Sequence, residues 1–493
     1  MTARLYPPGP KGRLFGLGLH LASQRDPLAF MERAARDFGD VVHFRLGRRH
    51  VYLFNHPEHV KHVLTTHYAN FLKGRGVTRR GNFLGEGLLT SEGGFHRRQR
   101  QLTQPAFHHQ RFDAYGAVMA RLTREASAGW RACEPLDVLE AMRQITLPIA
   151  SETLFGARVD GEHERIIAAF RTGLSRFRSF KSAAARASDR LSFLHRRRLR
   201  RARLDLESIV ERIIVERRRT PDDRGDLLSL LLARPEEEDA RLRDDRQIRD
   251  EAATLFIGGF ENVATAMTWT WYLLAQHPEA EEKLHRELDG VLGGRLPAAD
   301  DLPRLAYTRM VFEEAMRVYP PVPRLVRTAV REFEVGGYTV PAGSLVVVSQ
   351  YLMHRDARYF PEPARFDPER WTPEAKRARP AYSFFPFGGG PRRCIGDGFA
   401  YMEGVLVLAT LAARWRLRLA SRDPVQTVAT HFLHPRGTLS MIPERREAVA
   451  RPGEFEFERE ASAREGACER AQHAGEARVT LETRGEAACE RVL

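Results

Sequence analysis

The chain has 493 residues, of which 43% are hydrophobic and 29% charged. This is the composition of a globular protein with a large core, and it excludes collagen-like and wholly disordered chains. The four cysteines lie far apart without a CxxC pair, which argues against a disulfide framework or a cysteine-rich zinc site and favours a reducing compartment. At about 150 residues per domain, the length alone suggests about three domains.

The net charge of +14 comes almost entirely from arginine, since only six of the 78 basic residues are lysine. This charge is spread over the whole chain, which argues against a dedicated nucleic-acid surface. The exception is the range 171–203, with twelve Lys or Arg and one acid, Asp189. Such a run can bind nucleic acid, anionic lipid or an acidic protein. Because no recognition motif accompanies it, a solvated helix face is the favoured interpretation, and no nucleic-acid partner is expected.

The predicted elements indicate a mainly α fold with a small β portion near both ends. From about 95 to 290 the pattern is predominantly helical. A helix is also predicted to begin at Pro57, with Asn55 or His56 as its cap. Strands are predicted at 41–47, 50–54, 333–340 and 344–349.

The apolar stretch 252–276 is long enough to span a membrane, but it carries Glu261 and the pair Gly258-Gly259. An ionisable residue at membrane depth is costly, so a buried central helix is the better interpretation. The N-terminus contains Tyr-Pro-Pro-Gly-Pro and no apolar core of an export signal. We therefore expect no transmembrane anchor and a cytoplasmic location.

Two later segments are predicted to lack regular structure. The range 359–391 contains seven prolines, and a long irregular segment inside a compact protein is usually functional. The range 451–493 has almost no apolar periodicity and is predicted to be a disordered C-terminal tail. Its ten Glu and seven Arg contribute −3, so the rest of the chain carries +17.

The most specific motif is FGGGPRRCIG, from Phe387 to Gly396, followed by an apolar helical stretch. A glycine-rich loop before a helix can cradle an anion, but no GK[ST] follows here. The loop contains Cys394 instead, whose thiolate would be stabilised by a helix N-terminus and two arginines. Such a thiolate is suited to bind a metal.

This segment resembles the heme-binding signature of the cytochrome P-450 family, Phe-x-x-Gly-x-Arg-x-Cys-x-Gly, at every fixed position. The resemblance implies that Cys394 is the axial thiolate of heme b (iron protoporphyrin IX) and that Arg392 contacts a heme propionate. It also implies the family's fold, with heme between a long central helix and the Cys-ligand loop. The alternative is a structural cysteine in a turn.

Neighbouring motifs follow in the family's order. The sequence HRRQR places His96 and Arg100 on one helix face, where the resemblance implies contacts to the propionates, although many relatives have Trp at the first position. Without the resemblance this helix would be interpreted as a solvated face. Glu314 and Arg317 resemble the family's Glu-x-x-Arg helix, and Arg370 would complete a structural network. Taken alone, such a pair is usually a weak surface salt bridge.

The oxygen-activating segment departs from the family pattern. Gly258-Gly259-Phe260-Glu261-Asn262-Val263 resembles Ala/Gly-Gly-x-Asp/Glu-Thr-Thr, which makes Glu261 the expected proton source. Asn262 replaces the usual threonine; its amide can donate a hydrogen bond or hold a water but cannot relay a proton, and it can also simply bond to backbone. Thr265 lies one turn on and could supply a hydroxyl about 4.5 Å along the axis. Glu261, Asn262 and Thr265 are thus the candidate catalytic residues.

The resemblance implies a heme-dependent monooxygenase that inserts one oxygen atom of O₂ into an apolar small molecule of terpenoid, fatty acid or polyketide type. Electrons would come from a separate ferredoxin or flavodoxin and its reductase, because the chain contains no flavin or iron–sulfur motif. An acidic partner would suit the basic body. One alternative is a peroxide-driven peroxygenase or a heme-thiolate isomerase, which Asn262 favours. Another is a non-catalytic heme-binding sensor, which Glu261 disfavours.

One cofactor site would need residues from His96 to Gly396, so the resemblance predicts one heme domain over 1–450 in place of three domains. By the same resemblance the substrate would contact segments distributed over this domain, and an arginine such as Arg324 would bind an acidic group of the substrate. These segments are 72–90, 175–195, Phe256, Phe260, Pro321–Val326 and Thr430–Leu433.

Overall fold

The computed structural model describes residues 6–12, 17–74, 81–159, 161–175, 193–220, 224–233 and 244–446. The predicted tail, the domain limit at 450 and residues 176–192 of the substrate and basic segments lie outside these ranges. Helices dominate the described residues, as the sequence predicted. Their bounds are α1 Leu17–Arg25, α2 Pro27–Phe38, α3 Pro57–Lys61, α4 Gly81–Leu84, α5 Gly93–Thr103, α6 Phe112–Ser127, α7 Val138–Phe155, α8 His163–Ser175, α9 Phe193–Arg219, α10 Leu227–Leu232, α11 Asp245–Leu274, α12 Pro278–Leu292, α13 Ala306–Val318, α14 Gln350–Met353, α15 Pro373–Ala378 and α16 Asp397–Ala412.

The strands form small sheets beside the helices. The largest has the order β1-β2-β8-β5-β3, and further sheets pair β4-β12-β9, β6-β7 and β10-β11. The early hairpin and the late strands agree with the predicted segments. The strands are β1 Val41–Leu46, β2 Arg49–Phe54, β3 Phe71–Lys73, β4 Leu136–Asp137, β5 Leu325–Ala329, β6 Phe333–Val335, β7 Tyr338–Val340, β8 Leu345–Val348, β9 Trp415–Leu419, β10 Thr427–Ala429, β11 Leu433–Pro435 and β12 Ser440–Arg445.

The central helix α11 positions the rest of the helical core. Asp244 caps its N-terminus by accepting a hydrogen bond from the Arg246 N–H, and apolar side chains then occur on all sides of the helix. It packs against α7 on one side and against α13 and α16 on others. Buried charged residues such as Glu251 and Glu261 interrupt this apolar surface. None of the described helices is long and apolar enough to cross a membrane.

The prolines of 359–391 leave the predicted irregular segment, which is interrupted by the 3-10 turn Pro368–Trp371, the short helix α15 and the start of the 3-10 turn Gly390–Arg392. The described part of the basic run lies on α9. There Arg197, Arg198, Arg200 and Arg201 are exposed, while Leu199 is buried, as expected for a solvated helix face.

The buried histidine His285 leads us to predict that the folded protein loses stability in acid. His285 on α12 is 4% exposed, and burial, with help from Arg446, Arg416 and Arg418, lowers its pKa to about 3. The unfolded chain therefore takes up a proton near pH 6.5 that the folded chain refuses, so this site lowers stability as pH falls from about 6.5 towards 3.

We predict that His285→Phe gains stability over the wild type by about 1–2 kcal/mol when the pH is changed from 7.5 to 5. The measurement is the free energy of unfolding in urea at both pH values, compared between the two proteins. A difference between variant and wild type that is the same at both pH values would contradict the assignment of a neutral buried imidazole.

Candidate functional site

A cavity of about 430 Å³ lies between α11, α5, the loop before α16 and the tip of the β10–β11 hairpin. Its described lining contains seven Lys or Arg residues and no Asp or Glu. Such a cavity favours a bound anion, because buried cations need opposite charge. The basic residues are Arg49, Lys73, Arg100, Arg324, Arg327, Arg392 and Arg393.

Glycines shape the loop that holds Cys394. Gly388 and Gly390 have φ of +73° and +62°, the left-handed region that favours glycine. A Cβ at Gly390 would also overlap the Leu64 carbonyl oxygen. The loop closes when the Cys394 N–H donates to the Phe387 carbonyl at 2.9 Å. The glycines of the motif thus allow a tight turn that places Cys394 in the cavity wall.

The Cys394 thiol is exposed to the cavity and is surrounded by protein. Burial raises its pKa, against the lowering influence of the Gly396 N–H, which donates to the sulfur, and of Arg100 and Arg393. Burial therefore outweighs the stabilisation of the thiolate that the sequence predicted from the helix N-terminus and the arginines. A metal that replaces the proton would keep the sulfur as a thiolate.

The three predicted propionate contacts come together at one end of the cavity. His96 and Arg100 project from α5, and Arg392 precedes the cysteine. Burial and neighbouring cations lower the pKa of His96 to about 3. Arg100 donates from Nη1 to the Arg393 carbonyl at 2.7 Å, which ties α5 to the Cys loop.

Two further cations belong to this cluster and were missed from the sequence. Lys73 on β3 is buried, donates to the carbonyls of Leu88 and Ser91 at 2.8 and 3.0 Å, and has its pKa lowered to about 7, chiefly by burial. Arg327 on β5 lines the same end, and burial lowers its pKa to about 10. No motif surrounds either residue, since only the pairing of β3 with β5 brings them together.

The cluster fits the two carboxylates of a heme. Glu92 pairs with Arg392, but Glu92 does not line the cavity, and Nη1 of Arg392 is buried without a hydrogen-bond partner among the described residues. A cysteine thiol, five cationic or imidazole groups and an orphaned guanidinium nitrogen around one cavity match a metal macrocycle that carries two anionic arms.

The opposite wall is formed by one face of α11. A Cβ at Gly258 would meet open space, whereas a Cβ at Gly259 would approach the Ala150 Cβ at 3.1 Å. Asn262 lines the cavity and donates from Nδ2 to the Gly258 carbonyl at 3.3 Å. This is the hydrogen bond to the backbone that the sequence left open as an alternative. In this orientation the amide oxygen of Asn262 is the group that can accept a hydrogen bond.

Glu261 and Thr265 lie outside the cavity lining. Glu261 is fully buried and bound by Arg143 of α7, whose Nε and Nη2 donate to its carboxylate at 2.9 and 2.6 Å. Thr265 donates from Oγ1 to the Glu261 carbonyl at 2.8 Å. Of the three candidate catalytic residues, only Asn262 faces the cavity.

The prediction that Phe256 and Phe260 line the cavity is wrong. Neither is a lining residue; their rings instead contact those of Phe155 and Phe170. The helical phase explains the error, because Leu255, Gly258, Gly259, Asn262 and Ala266 occupy the cavity face. The described parts of 72–90, Pro321–Val326 and Thr430–Leu433 do contribute lining residues, among them Leu88, Arg324 and Phe432, whereas the described residues of 175–195 contribute none.

Glu314, Arg317 and Arg370 form a network that is buried and not a surface pair. Arg317 donates from Nε and Nη2 to Glu314 at 2.8 and 2.9 Å, and Arg370 Nε lies 3.4 Å from the same carboxylate. The remaining donors of Arg317 bind the carbonyls of His354, Pro363 and Arg365, so the irregular segment 359–391 is attached to α13.

Comparison with known proteins assigns the family. A family model described as Cytochrome P450 matches residues 7–443. The chain belongs to the cytochrome P450 family. The resemblance inferred from the sequence motifs is thereby confirmed.

Bacterial P450s are similar over most of the chain. Cyclooctatin synthase of Streptomyces melanosporofaciens is 39% identical, covering 87% of this chain and 94% of the relative. Cyclooctat-9-en-7-ol 5-monooxygenase of the same organism is 38% identical, covering 82% and 87%. Pentalenene oxygenase of Streptomyces avermitilis is 34% identical, covering 84% and 92%.

Among solved structures, the cytochrome P450DA heme domain has a TM-score of 0.79 at 24% identity, covering 90% of this chain and 98% of that one. This likeness confirms the predicted mainly α P450 fold. The protein is a P450 monooxygenase with heme and a cysteine thiolate ligand, and it uses O₂ with electrons from a redox partner.

We predict that Glu314→Gln destabilises the protein by about 3–5 kcal/mol, because it leaves the buried Arg317 guanidinium without its counter-charge. The matched control is Glu374→Gln, which removes an equally spaced partner from Arg377 on the surface, where both side chains are 74% exposed. The control should change stability by less than about 0.5 kcal/mol. Urea unfolding and heme content are measured for both; equal effects would contradict a structural role for the buried network.

Proposed function

We propose that this P450 hydroxylates or otherwise oxygenates an apolar small molecule of terpenoid type, using heme held by Cys394. The observation that carries the proposal is a cavity with a thiol in one wall, a cationic cluster at one end and apolar side chains opposite. When bound, thiolate-ligated heme supplies O₂ binding and O–O cleavage. The protein supplies the thiolate, the anchors and the shape of the substrate space.

Cofactor binding is assigned to residues of the cavity wall. Cys394 holds the iron, and His96, Arg100 and Arg392 bind the propionates together with Arg327 and Lys73. Lys73 and His96 are buried, and charge-assisted hydrogen bonds are strong in such surroundings. Arg392 Nη1, which has no hydrogen-bond partner among the described residues, and the buried Lys73 side chain therefore support the assignment of the propionate site.

We predict that Cys394→Ala abolishes the absorption band typical of thiolate-ligated heme in the reduced protein with CO, because no other described cysteine lines the cavity. Cys489→Ala is the control, since it lies beyond the part of the chain that matches the family. Retention of the thiolate-type band in Cys394→Ala would contradict the ligand assignment.

The substrate space is mainly apolar. Side chains that surround it include Phe83, Leu84, Leu88, Phe170, Val263, Val322, Val326 and Phe432. Among the similar proteins, one is named for pentalenene and one for cyclooctat-9-en-7-ol. A hydrocarbon or mono-alcohol of this kind gains affinity by burying apolar area. Arg324, whose pKa burial lowers to about 10, is the cavity cation that an acidic or hydroxyl group of the substrate would meet.

The redox partner is proposed to be a separate acidic ferredoxin or flavodoxin with its reductase. Arg97 and Arg98 of α5 and Arg393 beside Cys394 are exposed, and α5 is tied to the Cys loop by Arg100. Positive charge there would steer an acidic partner to dock near Cys394. Docking at this position would keep the electron-transfer distance short.

Peroxide-driven oxygenation is the second candidate. It is favoured by the position of Asn262, whose amide bonds to the Gly258 carbonyl, and of Glu261, which is turned away from the cavity. In the monooxygenase, a proton has to pass Asn262 to reach the cavity, because Glu261 and Thr265 lie outside its lining. A hydroxyl at 262 would shorten that path.

We predict that Asn262→Thr raises the fraction of reducing equivalents recovered in product by about two-fold or more, because a hydroxyl relays protons and an amide does not. Pentalenene serves as the test substrate, with a bacterial ferredoxin, its reductase and NADPH, and both product and released hydrogen peroxide are quantified. Wild-type turnover that is equally fast with peroxide alone would contradict the monooxygenase proposal. No gain in Asn262→Thr would contradict the role of residue 262.

A further inference from the structure

One stripe of the central helix contacts the C-terminal hairpin and not the cavity. Glu261, Thr265 and Trp269 are spaced by four residues and therefore lie on the same helix face. Nε2 of His434 lies 3.0 Å from a Glu261 carboxylate oxygen and 3.1 Å from the Thr265 hydroxyl. Trp269 donates from Nε1 to the Leu433 carbonyl at 2.7 Å. Strand β11 is thus bound to α11 by side chains of both elements.

The carboxylate at the centre of this contact is a fixed charge. Burial alone would raise the pKa of Glu261, but hydrogen bonds from His434 and Arg143 outweigh it and hold the pKa below its usual range. Arg143 is itself paired with Glu140 on the outer side. A buried, bidentate ion pair is costly to break, so it is a rigid support for a third group such as His434.

The same imidazole also contacts the roof of the cavity. The rings of His434 and Phe432 are stacked at 5.6 Å between centroids with 21° between planes. Phe432 lines the cavity and packs on Phe170 at 6.0 Å. His434 therefore lies between the Glu261 carboxylate and an aromatic side chain that faces the substrate space.

The hairpin needs such external support. Strands β10 and β11 pair over three residues each, and a two-stranded hairpin of this size is marginal by itself. Other described bonds hold its turn, since the Leu433 N–H donates to the Pro321 carbonyl at 3.0 Å and Arg324 donates to the Thr430 carbonyl at 3.2 Å. Within the hairpin, the His434 side chain contacts the buried carboxylate of Glu261.

We propose that His434 is a positioning residue that fixes Phe432 over the cavity and thereby determines which apolar ligands fit. The inference rests on the proposed function only in that the cavity must hold a ligand above the heme. It assigns Glu261 a second task, as the support of the cavity roof. Loss of His434 leaves the Glu261–Arg143 pair in place, so the central helix stays folded.

The test compares two probes that coordinate heme iron and differ in size, imidazole and 4-phenylimidazole, in spectral titrations of the heme-loaded protein. His434→Ala should weaken 4-phenylimidazole roughly tenfold, equivalent to about 1.4 kcal/mol, because the phenyl group loses its aromatic wall. Imidazole is too small to reach the roof and should change by less than about two-fold. His434→Gln, whose amide N–H can still donate to Glu261, should restore most of the 4-phenylimidazole affinity.

His285→Ala is the matched control, since it removes another buried histidine away from the cavity lining, and it should leave both affinities unchanged. Hydrogen exchange supplies a readout without ligand: the amide of Leu433 should exchange faster in His434→Ala than in the wild type. Equal weakening of both probes, unchanged binding of both, or a Gln variant that behaves like Ala would overturn the proposal. The CO spectrum of the wild type in the same preparation tests the heme-thiolate assignment separately, because it does not depend on the ratio of the two affinities.

Discussion

A carboxylate without access to water determines how three elements of this protein meet. Glu261 is fully buried near the middle of the longest described helix, and such a charge is tolerated only with close partners. Arg143 brings α7 against the central helix, and His434 brings the last hairpin against it. The helix face that remains carries Gly258 and Asn262, and this face forms the cavity wall. The ion pair therefore sets which side of the helix is left for chemistry.

The charges on the two sides of the central helix are balanced differently. On the side away from the cavity, Glu261 is paired with Arg143 and His434 within the protein, so no bound ligand is needed to neutralise it. In the cavity the described lining carries positive charge without a carboxylate, and a bound anion has to complete it. Heme with its propionates meets that requirement, and the thiol of Cys394 faces the same space. The excess of positive charge in the cavity lining thus makes the cavity a suitable site for an anionic cofactor.

Sequence reasoning succeeded where the chemistry is local and failed where it depends on the approach of distant segments. The turn at Cys394, the Glu314-x-x-Arg317 pair and the two early strands are each encoded within about ten residues, and all were predicted. Lys73 and Arg327 join the cationic cluster only because their strands pair, and Arg143 and His434 lie 118 and 173 positions from Glu261 along the chain. Their individual residue types are unremarkable, so nothing in the local pattern separates them from surface arginines and histidines. Phe256 and Phe260 were placed in the cavity by analogy with the family, without regard to the phase of the helix.

The most direct test of this account is a crystal structure of the heme-loaded protein. The account predicts the Cys394 sulfur within about 2.3 Å of the iron, as for thiolate ligands of similar metals, the propionates against Arg392 and Arg327, and Glu261 still bound by Arg143 and His434 on the far side of the helix. A structure in which the Glu261 side chain turns into the cavity, or in which another residue coordinates the iron, would contradict it.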